Sequence, residues 1–163
     1  MVLILESEGR VPPQAVETEE AILGEMLVLR ESMEVGVNLL SPSDFYKPAH
    51  RHIFDGISAL YDSGKPTDVL ALEGYMRDQG LLDVAGGSIY LYDLTRNSAN
   101  GNIEYHAQIL KEKALKRQII LESTNAIKEA YDTTTDAYDV YDQINLKISS
   151  LLSESTLEKK SFT

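Results

Sequence analysis

The sequence predicts an all-α protein in which a globular multi-helix head is followed by an antiparallel helical hairpin. Apolar residues recur at helical spacing along most of the 163-residue chain, and no sustained alternation typical of strands is present. Proline and glycine divide the first part of the chain into short helices. Residues 102–130 contain neither, which predicts a helix of about 30 residues that is roughly 45 Å long at 1.5 Å per residue.

The first helix of the head is expected to begin directly after Pro12 and Pro13, because proline is favoured in the first turn of a helix. Glu17 and the acidic residues that follow it lie near the N-terminus, where the helix dipole favours negative charge. The buried face of this helix is predicted to consist of Val16, Ile22, Leu23, Met26 and Leu27.

Capping signals place the next helices of the head. Ser41-Pro42-Ser43-Asp44 predicts the start of a short helix, since a capping serine is followed by a proline and, three residues on, an acid. Pro48 ends that helix and begins a longer one, which ends at Gly64 and Pro66. One face of the longer helix is expected to carry Ile53, Phe54, Ile57, Leu60 and Tyr61.

Two further helices complete the predicted head, which covers residues 12–100. The first begins at Thr67 or Asp68, either of which can cap it, and stops near Gly80. The Gly86-Gly87 pair then interrupts the chain. A short helix is expected to follow through Tyr90, Leu91 and Leu94.

The hairpin is predicted to cover residues 101–152. The polar segment 132–136 forms a short turn, so the two flanking helices are expected to fold back on each other. A heptad-type seam, with alternating spacings of four and three, is formed by Ala137, Tyr141, Ile144, Ile148 and Leu151. Residues 1–11 are interpreted as a flexible arm and residues 153–163 as a polar linker.

The long helix carries more apolar residues than one seam requires. One stripe consists of Ile103, Ala107, Leu110, Ala114 and Leu121. Other sides of the helix carry Leu115, Ile119, Ile120, Ala126 and Ile127. The surplus residues face the head, another subunit or a partner protein. Because burial of a Leu or Ile side chain contributes roughly 1.5–3 kcal/mol, we expect the protein to associate through this hairpin.

No catalytic or cofactor-binding motif emerges from the sequence. Ser63-Gly64-Lys65-Pro66-Thr67 has a superficial likeness to a phosphate-binding loop, but Ala59 and Pro66 stand where that motif needs a glycine and a hydroxyl. His50 and His52 point to different faces of one helix and are poor co-ligands for a metal. We therefore expect no catalytic residue, metal site or cofactor in this segment.

The charge of the chain favours protein partners over nucleic acid. There is no cysteine, which excludes a disulfide framework, and the formal net charge of −11 repels phosphate backbones at long range. The basic run Lys111, Lys113, Lys116 and Arg117 is interpreted as a solvated helix face, with a contact to an acidic partner or subunit as the alternative. Without an apolar stretch long enough to cross a bilayer, a soluble cytoplasmic protein is expected.

A series of short motifs resembles the N-terminal domain of DnaB-type replicative DNA helicases, and their order covers roughly Val11 to Leu152. They are Pro12-Pro13-Gln14-Ala15-Val16-Glu17 with Glu20, Leu23 and Gly24, then Asp44-Phe45-Tyr46, His50, Ile53-Phe54, Gly86-Gly87, Tyr90-Leu91, Asn102-Ile103-Glu104-Tyr105 and Glu112-Lys113. Two segments depart from the family pattern. Gly101 is less suited to the start of a helix, and residues 29–33 are less turn-like than expected.

The resemblance implies an assembly and primase-interaction domain of a hexameric helicase acting in DNA replication. In the family, the hairpins pair, three such dimers form a ring, and the domain docks the C-terminal domain of primase and, in some systems, a helicase loader. The ATP- and magnesium-dependent 5′–3′ motor of the family is a RecA-like domain beyond a linker. The role expected of this segment is therefore structural and allosteric, with no direct grip on DNA.

Seven positions are candidate contacts with a partner or a second subunit, chosen because they match family motifs or carry surplus apolar side chains. They are Glu17 and Tyr90 on the head and Ile120, Ile127, Tyr141, Ile144 and Ile148 on the hairpin. The alternative hypothesis is a free-standing acidic helical adaptor or inhibitor that mimics this domain. An enzyme with an unrecognised acid–base site is a third hypothesis.

Overall fold

The computed structural model describes residues 10–98 and 101–160, and every element of regular secondary structure in those residues is helical. In chain order the elements are α1 (Val16–Val28), α2 (Arg30–Leu39), the 3-10 helix η1 (Pro42–Asp44), α3 (Pro48–Asp62), α4 (Val69–Asp78), α5 (Gly87–Arg96), α6 (Ile103–Tyr131) and α7 (Ala137–Lys160). The predicted all-α class is confirmed. None of the helices in the described part is long and apolar enough to cross a membrane.

The chain divides into two compact units, one of them Gln14–Ala114 and the other made by the residues on either side. The boundaries proposed from the sequence at residues 100 and 152 stay predictions. Most of the expected arm, residues 1–9, lies outside the described residues, as do residues 161–163 of the expected linker. Backbone helix nevertheless continues to Lys160, so α7 extends into the segment interpreted as linker.

Helix α1 lies at the centre of the first unit. Ile22, Leu23, Met26 and Leu27 are buried, as their spacing predicts, and they pack in one core with residues of the other helices in this unit. Val16, which was predicted for the same face, is only half-buried. Gly24 allows close approach to α5, because a Cβ at this position would collide with the carbonyl oxygen of Leu94.

Helix α2 is absent from the sequence-based prediction. The single residue Leu29 separates it from α1, in an extended conformation with φ −113° and ψ 118°. The amide of Leu29 donates to the Glu25 carbonyl, and the Leu29 carbonyl accepts from the amide of Met33, so the same residue ends one helix and begins the next. A turn without glycine, proline or a capping side chain leaves no local signal, which explains the unusual segment 29–33.

The remaining head elements begin and end at the predicted signals. Ser41 and Asp44 form a capping box at η1, where the Asp44 carboxylate accepts the Ser41 amide at 2.8 Å. Asp68 caps α4 by accepting the amides of Leu70 and Ala71, both at 3.0 Å. Gly80 adopts a positive φ of 69° just beyond α4, as expected of a C-terminal stop.

The second unit contains the predicted hairpin from Leu115 onward, and two ion pairs of Lys147 join its helices. Lys147 Nζ lies 3.7 Å from Glu122 Oε2 and 3.7 Å from Glu129 Oε1, so α7 runs back along α6 in the antiparallel sense. The predicted seam is wrong at its first two positions, because Ala137 and Tyr141 are exposed and Val140 is buried instead. Val140 begins the buried face, which then continues through the half-buried Ile144, Ile148 and Leu151.

Candidate protein-interaction sites

Tyr90 connects three helices of the head through its hydroxyl group. The hydroxyl donates to Glu20 Oε1 of α1 at 3.0 Å and lies 2.6 Å from His50 Nε2 of α3. Lys47, the residue before α3, donates from Nζ to the same hydroxyl at 3.2 Å, and its ammonium lies 4.6 Å from the centre of the ring. The half-buried Tyr90 thus holds α5 against α1 and α3.

Glu19 lies behind this contact and is fully buried. Its Oε2 is 2.5 Å from His50 Nδ1, and its carboxylate also accepts the backbone amides of Tyr46 and Lys47 at 2.5 and 3.3 Å. Those amides belong to the residues just before α3, where the helix dipole also favours negative charge. A side chain of α1 therefore caps α3.

The charged groups of this cluster determine the donor in two of its hydrogen bonds. A carboxylate only accepts and an ammonium only donates, so Tyr90 gives its proton to Glu20 while Lys47 donates to Tyr90. His50 lies between Glu19 and Tyr90 and is hydrogen-bonded through both ring nitrogens, Nδ1 to Glu19 and Nε2 to Tyr90. Burial, together with the hydrogen bond and charge of Glu20 and the charge of Glu19, raises the pKa of Tyr90 and keeps it a phenol.

These contacts determine where the head candidates Glu17 and Tyr90 lie. Glu17 is exposed on the first turn of α1, where it can meet a partner directly. Tyr90 is half-buried, its hydroxyl is bonded within the head, and Lys47 and His50 lie beside its ring. The two residues thus differ in kind, since one is a surface charge and the other a structural link.

The hairpin candidates fall into two groups. Ile120, Ile144 and Ile148 are half-buried, whereas Ile127 is 59% exposed and Tyr141 is 65% exposed. Exposure of large apolar and aromatic side chains on one unit is typical of a surface that meets another protein. Ile127 and Tyr141 therefore remain available within the single chain, and the other three are partly covered.

The sequence analysis missed further exposed aromatic residues at the turn of the hairpin. Tyr131, the last residue of α6, is 84% exposed, and Tyr138, in the first turn of α7, is 80% exposed. With Tyr141 they form a group that we call the tyrosine tip. In the sequence, Tyr131 and Tyr138 can be recognised as large aromatic residues that flank a polar turn and belong to no apolar stripe.

The basic run of α6 differs from its interpretation as a solvated face. Lys111 is half-buried and lies 3.4 Å from Asp44 Oδ2, and the half-buried Arg117 donates from Nη1 to the carbonyl of Pro13 at 2.8 Å. These side chains contact the protein's own chain. In the described residues, no three His, Asp or Glu side chains are grouped as metal ligands.

The chain matches a known protein family over more than half of its length. The family model for the DnaB-like helicase N terminal domain matches residues 11–112. The replicative DNA helicase DnaB of Rhodothermus marinus is 40% identical over 141 residues, which are 86% of this chain and 15% of that protein. The replicative DNA helicase DnaC of Bacillus subtilis is 31% identical over 80% of this chain and 29% of its own length.

A solved structure has the same fold over nearly its whole length. The N-terminal domain of DnaB helicase from Mycobacterium tuberculosis matches with a TM-score of 0.80 and 32% identity, covering 86% of this chain and 99% of that one. The chain thus spans 15% and 29% of the two whole helicases but almost all of an isolated N-terminal domain. The chain belongs to the DnaB-like helicase N-terminal domain family.

Proposed function

We propose that this chain assembles a hexameric replicative helicase and recruits primase to it, in the cytoplasm, through structural and allosteric contacts without chemistry of its own. The proposal rests on one observation: a family domain of helicases carries exposed large apolar side chains on α6 of its hairpin, foremost Ile127. Burying each such side chain would contribute roughly 1.5–3 kcal/mol, which favours a second subunit as the first partner.

The relatives support the proposed role in DNA replication. The relatives from Rhodothermus marinus and Bacillus subtilis are replicative DNA helicases of which this chain spans 15% and 29%, so ATP hydrolysis and DNA translocation are assigned to a motor domain outside it. A DnaB-like replicative helicase whose structure was solved with its primase interactions has the same fold, with a TM-score of 0.65 at 23% identity. Primase is therefore the proposed partner, with a helicase loader as a further one.

Self-association is tested by sedimentation equilibrium of the chain and of Ile127→Glu. The buried charge in the variant should weaken association at least tenfold while circular dichroism remains helical. Gln108→Glu is the matched control, since Gln108 is an exposed position of the same helix that lies on a different face and 19 residues before Ile127. Equal association of all three proteins, or a strict monomer at high concentration, would contradict the proposed hairpin contact.

Primase recruitment is tested separately by isothermal titration with the C-terminal domain of primase from the same organism. We expect saturable binding to the chain and weaker binding to Glu17→Lys, which reverses an exposed charge on the head. Glu31→Lys, an exposed charge on the first turn of α2, should bind as the unmodified chain does. Absence of any heat of binding would overturn this part of the proposal.

A further inference from the structure

The tyrosine tip differs from the rest of the hairpin in both side-chain chemistry and charge. Tyr138 and Tyr141 are three residues apart on α7 and therefore lie on one face of that helix, while Tyr131 ends α6. All three side chains are between 65% and 84% exposed. Tyrosine offers a large, rigid contact area at low entropic cost, which is why it is enriched at the centres of protein interfaces.

The turn that joins α6 to α7 and the first turns of α7 carry charge of one sign, and the basic residue that precedes them is Lys128 in the last turn of α6. Residues 131–142 carry four aspartates, Asp132, Asp136, Asp139 and Asp142, and no lysine or arginine. The hydroxyl and the amide of Thr134 donate to Asp132 at 2.7 and 2.9 Å and hold the pKa of this carboxyl below its usual range. Asp132 therefore keeps its negative charge to a lower pH than an ordinary aspartate does.

We propose that the tyrosine tip docks an arginine-containing basic segment of a partner protein. Guanidinium groups stack on tyrosine rings and pair with carboxylates, so one side-chain type satisfies both chemistries of the surface. A second copy of this chain fits poorly, because a twofold contact through the tip would bring four aspartates against the same four. This inference goes beyond the proposed function, whose hairpin contact is tested at Ile127 rather than at the tip.

The experiment uses the full chain and fluorescein-labelled peptides of six Arg-Ala repeats, with Lys-Ala and Glu-Ala repeats as comparisons. Fluorescence anisotropy should show binding of the arginine peptide, at least threefold weaker binding of the lysine peptide, and none of the glutamate peptide. The double variant Tyr138→Ser/Tyr141→Ser should lose at least tenfold in affinity. Tyr105→Ser is the matched control, because Tyr105 is a 63% exposed tyrosine of α6 that precedes Tyr131 by 26 residues in the sequence.

Three results would overturn the proposal. Equal loss in Tyr105→Ser would show a general effect of removing tyrosines. Loss in Asp139→Asn/Asp142→Asn without loss in the double tyrosine variant would show charge attraction alone. Peptide binding that is absent, together with self-association that weakens in the double tyrosine variant, would make a second copy the occupant. Ile127→Glu tests assembly independently of the tyrosine tip. Failure of this inference therefore leaves the proposed function standing, and failure of the proposed hairpin contact leaves peptide binding at the tip to be measured on its own.

Discussion

Glu19 and His50 meet in the interior of the head with Oε2 of the glutamate 2.5 Å from Nδ1 of the histidine, and both side chains are fully buried. The contact joins α1 to α3 across 31 residues of sequence. Glu20 and Lys47 lie on the other side of Tyr90, so two carboxylates, a histidine and a lysine are linked through one hydroxyl group.

Glu19→Gln should destabilise the head. Glutamine cannot supply the negative charge that faces His50 or accept with both terminal atoms from the amides before α3. Leaving a buried hydrogen-bonding group unsatisfied costs about 1–3 kcal/mol, and urea denaturation followed by circular dichroism would measure the loss. The control is Glu17→Gln on the same helix, where the side chain is exposed. Equal midpoints for the two variants would contradict the structural role assigned to Glu19.

Gly24→Ala and Gly74→Ala should have opposite effects on stability. The methyl group at Gly24 would collide with the carbonyl of Leu94 and push α5 away from α1, at a cost of about 1–3 kcal/mol. At Gly74, within α4, a Cβ meets nothing within 4 Å, so alanine should stabilise by roughly 0.5–1 kcal/mol through helix propensity. Thermal unfolding of the pair checks the prediction, and destabilisation of both variants alike would count against the close approach.

Glu73 should make stability depend on acid pH. Hydrogen bonds from Ser88, Arg77 and Tyr92, at 2.8, 2.6 and 3.2 Å, hold the pKa of Glu73 below its ordinary value of 4.5. For a carboxyl with a lowered pKa, the stabilisation is present above the unfolded value and disappears as pH falls through the folded value. The gap in urea midpoint between the chain and Glu73→Gln should therefore narrow below pH 4.5. Glu31→Gln should show no such gap, and a constant gap for Glu73→Gln would refute the assignment.

Val140→Ala and Tyr141→Ala should separate the inner from the outer face of α7. Val140 is only 7% exposed, so its truncation should destabilise the hairpin by about 1–2 kcal/mol. Tyr141 is exposed, and its truncation should leave stability within about 0.5 kcal/mol. Denaturation of the two variants measures the difference, and the reverse order would restore the seam that was predicted from the sequence.

The parts of the fold that the sequence predicts are those with local causes. Asp68 and Gly80 act within one turn of their own helix, and both are where the sequence places them. Leu29 ends one helix and begins another with backbone hydrogen bonds alone, so α2 was missed. Tyr141 was placed in the seam because spacings of four and three starting from Ala137 do not identify which face of α7 meets α6.

The candidate interaction residues also divide into those that the sequence predicts and those that only the fold reveals. The exposure of Ile127 follows from a surplus of apolar residues that can be counted along the sequence. The hydrogen bonds of Tyr90 cannot be predicted in this way, because its partners Glu20 and His50 are 70 and 40 residues away and meet it only in the folded head. Exposed tyrosines beside the polar turn were visible in the sequence, but only the structure shows that neither helix covers them.

The cap that Glu19 places on α3 has a consequence for how the head acquires its structure. The amides of Tyr46 and Lys47 obtain these acceptors only after α1 has docked, since the carboxylate comes from 27 and 28 residues earlier in the chain. Helix formation in α3 and docking of α1 are therefore linked steps, and neither is fully stabilised alone. Such linkage favours all-or-none folding of the head, so that partially folded chains present few of its surfaces to other proteins.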